Sequence, residues 1–193
     1  MTTRPTYERK PRTDALRNRE RILVAALEVF HRDGASASLD EIARTASVGP
    51  GTLYRHFPTR DTLIEAVYRS SVDQLATSAR QLAETLPPVE ALRAWMRLFI
   101  DHVGAKHLIA PALNSVTGGP ERLYLGARST MREAIEALTQ RAIASGDFRP
   151  DVQSEDFLRA LIGAAFQSYD PSWKESAHRV IDLLLAGAKP AAP

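Results

Sequence analysis

Thr52, Tyr54, Arg55 and His56 stand together directly after Gly49, Pro50 and Gly51. They present a hydroxyl, a phenol, a guanidinium and an imidazole, a set rich in hydrogen-bond donors. If the stretch is helical, Leu53 and Phe57 lie four apart on one face and anchor it, which leaves the polar four on the opposite side. A guanidinium can address a guanine edge through two bonds, while Thr, Tyr and His suit phosphates or mixed contacts. The small residues ahead of them thin the side chains at a helix start, where backbone N–H groups favour phosphate oxygens. The chemistry on offer is recognition of a phosphate-walled groove. The competing reading is ordinary packing, with Tyr54 set against a neighbouring helix.

Bond-making chemistry has no comparable footing. The chain has no cysteine, which excludes disulfides, thiolate metal sites and cysteine nucleophiles. It carries neither a phosphate loop nor a nucleophile motif. His102 and His107 lie five apart without a carboxylate at helical spacing, so no metal site and no cofactor are expected. A helical enzyme is the weakest reading. A module that binds another protein through the same residues stays open, and a steep fall of affinity with salt separates nucleic acid from it.

The elements that must position these residues read as helices throughout. Residues 14–33 place Leu16, Ile22, Leu23, Ala26, Leu27 and Phe30 at helical spacing, and Asp33-Gly34 closes that helix. Ser38 with Glu41 forms a capping box for a short helix over 39–46. A tight turn at 47–49 follows, and Pro50 suits the first position of the next helix. Pro58 ends that helix, and a long one runs over 59–86 to Pro87-Pro88. The next carries Leu92, Trp95, Met96, Phe99 and Val103, after which Pro111 and TGGP bracket a short irregular helix. Helices over 121–145, 154–169 and 172–187 complete the chain. The expectation is an all-α fold of about nine helices, a three-helix helix-turn-helix head on a larger helical body.

At 193 residues, 44% hydrophobic and 25% charged, the composition is that of a globular protein. The formal net charge is only +2, yet Lys and Arg outnumber Asp and Glu before residue 60 and the remainder is slightly acidic. Arg4, Arg9, Lys10, Arg12, Arg17, Arg19 and Arg21 crowd the N-terminus, which suggests either an anionic partner or a solubilising tail. That end lacks the apolar segment of a secretory signal. The longest apolar stretch, 160–166, falls far short of the ~20 residues of a membrane span. A soluble cytoplasmic protein is expected, associated with the nucleoid and without a membrane partner.

The stretch SLDEIARTASVGPGTLYRHFPTRDTLIEAV, residues 38–67, is similar to the N-terminal signature of TetR-family transcriptional regulators. Ile42-Ala43, Val48, Thr52-Leu53-Tyr54, His56-Phe57 and Arg60 fall in step with it. The resemblance implies a recognition helix over 50–56, with Tyr54 and His56 largely on the DNA backbone and Arg55 at a specificity position. It makes Arg60 a phosphate clamp, and Ser38 a phosphate contact beside its capping role. With Gly49, Pro50, Gly51 and Thr52 these form the expected DNA-binding set. The turn departs from the family in having Ser47 where glycine is usual and Gly49 where serine is usual. Ser47 must tolerate a positive φ if the turn needs one, and Gly49 remains an acceptable N-cap. From LPPVEALRAWMRLFIDHV onward the chain resembles a C-terminal domain type common among actinobacterial members.

The same resemblance implies a homodimer on a palindromic double-stranded operator. The last two helices are the expected dimer surface, through Leu158, Leu161, Ile162, Ala165 and Phe166 on one and Val180, Ile181 and Leu184 on the other. Gly163 and Ala164 would allow close approach, although these stripes can also serve the protomer's core alone. A pocket for a small, mostly apolar effector is expected among the middle helices. Its candidate lining is Trp95, Met96, Phe99, His102, Val103, Leu113, Tyr124, Arg128, Met131 and Phe166, each of which is individually well explained as core. The implied function is a repressor released from its operator by the effector, with helix 59–86 as the lever. A TetR-like regulator without a small-molecule effector is the alternative. The expected divisions are a basic, unstructured arm over 1–13, a DNA-binding domain over 14–60, and an effector-binding and dimerisation domain over 61–190.

Overall fold

The computed structural model describes residues 10–165 and 172–190, and these are all-α, with eight α-helices, one 3-10 turn and no strand among them. The helices are α1 (Lys10–Asp33), α2 (Leu39–Thr45), α3 (Pro50–His56), α4 (Arg60–Thr85), α5 (Pro88–Asn114), α6 (Glu121–Ala144), α7 (Ser154–Ala165) and α8 (Trp173–Gly187). The 3-10 turn, Gly34–Ser36, follows α1.

Two elements differ from their expected bounds by more than one residue, and 166–169 of the helix expected over 154–169 lie outside the described residues. α1 begins at Lys10, so the basic arm expected over 1–13 is helical from residue 10, while residues 1–9 with Arg4 and Arg9 lie outside the described residues. Pro11 falls in the first turn, where its missing N–H has no intrahelical bond to lose. The apolar period that reveals a helix starts only where the helix meets a core, and here a polar extension precedes that point. α5, in turn, runs unbroken through Pro111, and no separate short helix follows it. Proline inside a helix removes one N–H and crowds the preceding turn. Pro111 does so in the last turn of α5, between the buried Ile109 and the buried Ala112 and Leu113.

The chain forms two compact units. The first takes the described residues up to Val67 together with Leu108–Gly119. Within it α1 packs on α2 and α3, and α2 on α3. Ile22, Ala26, Val29 and Phe30 of α1, Ile42 of α2, Leu53 of α3 and Leu63 and Ile64 of α4 are buried almost completely. Each large apolar side chain of this kind stabilises the fold by about 1.5–3 kcal/mol.

The second unit takes Tyr68–His107 and the described residues from Pro120 onward. There α7 packs on both α6 and α8. Its core holds Leu92, Trp95, Met96 and Ile100 of α5, Ile135 and Leu138 of α6, Leu161 of α7, and Ile181 and Leu185 of α8. The buried indole of Trp95 donates its Nε1–H to the Leu75 carbonyl at 2.9 Å, so no polar atom is orphaned there. Gly146, at φ 79, closes α6 where Ser145-Gly146 is expected to end it.

Candidate nucleic-acid interface and ligand cavity

The turn between α2 and α3 sets the geometry of the first unit. Ser47 N–H donates to the Arg44 carbonyl and Val48 N–H to the Ala43 carbonyl, both at 2.9 Å, the bond pair of a Schellman cap. That cap needs a left-handed residue, and Ser47 supplies it at φ 51, the single non-glycine in that region among the described residues. Side chains resist this conformation by about 1–2 kcal/mol. Arg21 of α1 braces the strained turn, its Nη2 donating to the carbonyls of Ala46 at 2.5 Å and Ser47 at 2.9 Å. Sequence reasoning missed this brace because it counted Arg21 with the N-terminal positive charge. Arg19, counted the same way, lies over the Phe57 ring at 5.4 Å.

α3 starts from Gly49 as an extended N-cap with Pro50 in its first turn, and Thr52 and Leu53 N–H both return to the Gly49 carbonyl. Leu53 and Phe57 are buried, as anchors should be. Tyr54 is 47% exposed, Arg55 is exposed, and Thr52 and His56 are half-buried. Neither glycine is demanded by the protein itself. A Cβ at Gly49 or Gly51 would meet nothing within 4 Å, and neither residue has a positive φ.

Ser38 caps α2 from an exposed position, its Oγ accepting from Asp40 N–H at 3.2 Å. The reciprocal arm of the expected capping box goes elsewhere, since the Glu41 carboxylate pairs with Arg44 at 2.5 Å and Arg32 at 3.5 Å. Arg60, read from the resemblance as a phosphate clamp, has a job inside the unit. Its Nη1 donates to the Ala37 carbonyl and its guanidinium lies over the Phe30 ring at 5.3 Å. Beside it, Asp61 accepts Thr117 N–H at 3.0 Å, and this bond, with the Thr117 hydroxyl, holds its carboxyl below the ordinary range.

A cavity of about 600 Å³ opens in the second unit. Six expected residues line it: Phe99, His102 and Val103 of α5, and Tyr124, Arg128 and Met131 of α6. Trp95 and Met96 do not; they are wholly buried core, because α5 is apolar on several faces and periodicity alone cannot say which one meets the cavity. Leu113 is also wholly buried and belongs to the first unit. Phe166 lies outside the described residues. Sequence reasoning missed Tyr68 of α4, Glu121, Leu125 and Ala127 of α6, and Leu158, Ile162 and Ala165 of α7. Tyr68 had one signal, an aromatic residue with a polar tip in the apolar stripe of α4.

Tyr68 packs edge-on against Tyr124 at 5.7 Å and stands 6.4 Å from the His102 ring. Burial, reinforced by Tyr124, pushes the Tyr68 phenol up to about 12. Burial, then the charge of Glu121, raises Tyr124 as well. Both phenols are therefore neutral hydroxyls at ordinary pH, able to donate as well as accept.

On α7 and α8 the expected dimer residues divide. Leu161 and Ile181 are wholly buried within the protomer, and Leu158 and Ala165 nearly so, which makes them core and leaves them no surface to offer a second copy. The strongest apolar stripe of each helix is the one facing its own protomer. Ile162, Val180 and Leu184 are half-buried. The outer side carries a groove of about 270 Å³ lined by Ala160, Gly163 and Ala164 of α7 and Trp173, Ser176 and Val180 of α8, and Leu183 is 72% exposed. Among the described residues no group of three could hold a metal ion, and no helix is long and apolar enough to cross a membrane. The His107 side chain lies outside the described residues.

Residues 22–67 match the family described as bacterial regulatory proteins, tetR family, and residues 87–190 match the domain described as transcriptional regulator SbtR-like, C-terminal domain. Among solved structures, the TetR transcriptional regulator SCO0520 from Streptomyces coelicolor is 46% identical with a TM-score of 0.80, over 90% of this chain and 99% of that one. A TetR transcription regulatory protein from Mycobacterium vanbaalenii is 31% identical with a TM-score of 0.77, over 93% and 99% of the two chains. The HTH-type transcriptional regulator UidR of Escherichia coli strain K12 is 26% identical over 80% of this chain and 81% of its own.

Proposed function

The chain belongs to the TetR family of helix-turn-helix transcriptional regulators, not to an enzyme family, and from that premise we propose how it works. It binds a palindromic operator as a homodimer, represses transcription, and leaves the DNA when a small, mostly apolar molecule fills the 600 Å³ cavity. It acts in the cytoplasm at the nucleoid. The observation that carries the DNA reading is α3 itself. Its anchors point inward, Tyr54 and Arg55 point outward, and its start is stripped of side chains for no reason internal to the protein. Gly49 to Thr52 approach the backbone, Arg55 reads base edges, Tyr54, His56 and Ser38 hold phosphates, and Arg60 holds α4 in place beneath them while facing the same strand.

The dimer reading draws on the outer groove of α7 and α8, where Ala160, Gly163 and Ala164 permit a second pair of helices to come close. Each half-site then takes one head, doubling the area on DNA. Effector release follows if the filled cavity favours an arrangement of α4, α5 and α6 that does not match the operator spacing. α4 and α5 each contribute residues to both units, so displacement at the cavity is passed on by continuous helices.

The test is footprinting on DNA flanking the protein's own gene at two salt concentrations. A protected two-fold site, with affinity falling steeply as salt rises, is expected from counterion release at each phosphate contacted. Affinity that ignores salt and sequence contradicts the reading and favours a protein partner for α3.

A further inference from the structure

We propose that the cavity is built for an apolar carboxylate, with the hydrocarbon body against Phe99, Met131 and Ile162 and the carboxylate at Arg128. This rests on the effector reading above and names the ligand that reading leaves open. The walls of the cavity are apolar apart from Tyr68, Tyr124 and His102 at one end and Glu121 and Arg128 on α6. Those two charges are not equivalent. Glu121 is in the first turn of α6, where the positive end of the helix offsets its charge. Arg128 stands two turns further along, about 10 Å by helical rise, where no such compensation operates.

The surroundings of Arg128 are also short of anions. Arg132 pairs with Glu155 at 2.9 Å, and Arg159 with Glu155 at 3.9 Å and Asp156 at 3.3 Å. The charge of Arg128 is felt at Glu155 as well, so three guanidinium groups share two carboxylates. Among the described residues Arg128 makes no ion pair of its own. A monocarboxylate entering from this side completes the balance, keeps its charge near water, and directs its apolar part away from the exposed rim. A cavity of about 600 Å³ equals roughly twenty water volumes at about 30 Å³ each, room for up to about twenty non-hydrogen atoms and so for a medium-chain carboxylate.

The experiment titrates the full-length protein with octanoate, octan-1-ol and octylamine by calorimetry, using the wild type and Arg128→Gln, and then repeats each with operator DNA. Octanoate should bind about fivefold tighter than the alcohol, the range of a partly screened ion pair. Arg128→Gln should remove that preference, leave alcohol binding unchanged, and leave helicity unchanged by circular dichroism. Equal or tighter binding of the alcohol or the amine overturns the carboxylate class, as does a preference that survives Arg128→Gln. If the alcohol then releases the operator, the effector reading stands without this ligand class. If octanoate binds through Arg128 but leaves operator affinity untouched, the ligand class stands and effector release falls. Binding of none of the three overturns the proposal.

Discussion

Gly51→Ala should strengthen the protein while weakening its hold on DNA. Gly51 is the second residue of α3, has no positive φ, and has open space where a Cβ would stand. The added methyl therefore meets nothing in the protomer. Alanine outranks glycine by about 0.8–1 kcal/mol inside a helix, and at this early position about half of that is expected. For a chain of this length such a gain raises Tm by roughly 1–2 °C. On DNA the sign reverses. If the start of α3 lies against a phosphate, one methyl forces the backbone back and stretches or breaks a charge-assisted hydrogen bond, a loss of about 1.5–3 kcal/mol or at least tenfold in affinity. Urea unfolding at fixed protein concentration measures the first effect, and anisotropy titration of the footprinted operator measures the second. Unchanged operator affinity would mean that nothing approaches this backbone, and the reading of the small-residue stretch would be refuted. A loss of stability would instead mean that the space at Gly51 is not open.

Four further outcomes are expected. Arg55→Ala should weaken operator binding by about 1–3 kcal/mol if it reads a base, with dimerisation and melting unchanged; an equal loss on all sequences makes it a phosphate contact, and wild-type affinity removes α3 from recognition. Ser47→Gly should raise stability by about 0.5–1 kcal/mol, since relief of a left-handed side chain exceeds the added backbone entropy of glycine, and an unshifted urea midpoint contradicts the strain. Tyr68, whose phenol is pushed up to about 12, contributes stability in full below its unfolded value and loses it as pH rises through that range. Absorbance titration of phenolate should show a late-ionising group that Tyr68→Phe abolishes, and ordinary ionisation of Tyr68 would remove the burial account. Gly163→Arg should yield a monomer by light scattering with helicity intact, and a surviving dimer would place the interface elsewhere.

The fold was legible because helix ends and apolar stripes are local properties. Pro50, Pro88, Gly146 and the cap at Ser38 punctuate the chain in ways that need no tertiary information. So was the inward anchoring of α3 by Leu53 and Phe57. What could not be read was the choice between equivalent apolar faces. Leu161 and Ile181 carry the same pattern whether they meet a second copy or their own protomer, and only the packing of α7 on both α6 and α8 decides it. The same ambiguity placed Trp95 at the cavity instead of Tyr68, since a helix apolar on several faces gives no direction. Two arginines have internal roles that sequence does not show. Arg21, counted there with the N-terminal charge, and Arg60, read from the resemblance as a phosphate clamp, each bond a backbone carbonyl more than twenty residues away along the chain, at Ala46 and Ala37 respectively.

Glycine usage separates what the protomer needs from what it needs others for. At Gly104 a Cβ would meet the Trp173 ring at 3.1 Å and the Lys174 side chain at 3.2 Å, so a larger residue there requires those neighbours to give by a few tenths of an ångström. Gly118 and Gly146 have φ of 84 and 79, which the fold also explains. Gly51 and Gly163 have neither reason, although glycine inside a helix gives up about 1 kcal/mol relative to alanine. Gly126 is equally unconstrained and adjoins Leu125, 65% exposed on the cavity lining. Gly187, the last residue of α8, is open too but only ends its helix; on the proposed reading it is Gly51, Gly126 and Gly163 whose benefit lies outside the protomer. Those positions fall at the start of the exposed recognition helix, on the outer groove of α7, and beside the cavity. They are the three places where this reading requires DNA, a second copy and a ligand, and the protomer's own packing accounts for glycine at none of them.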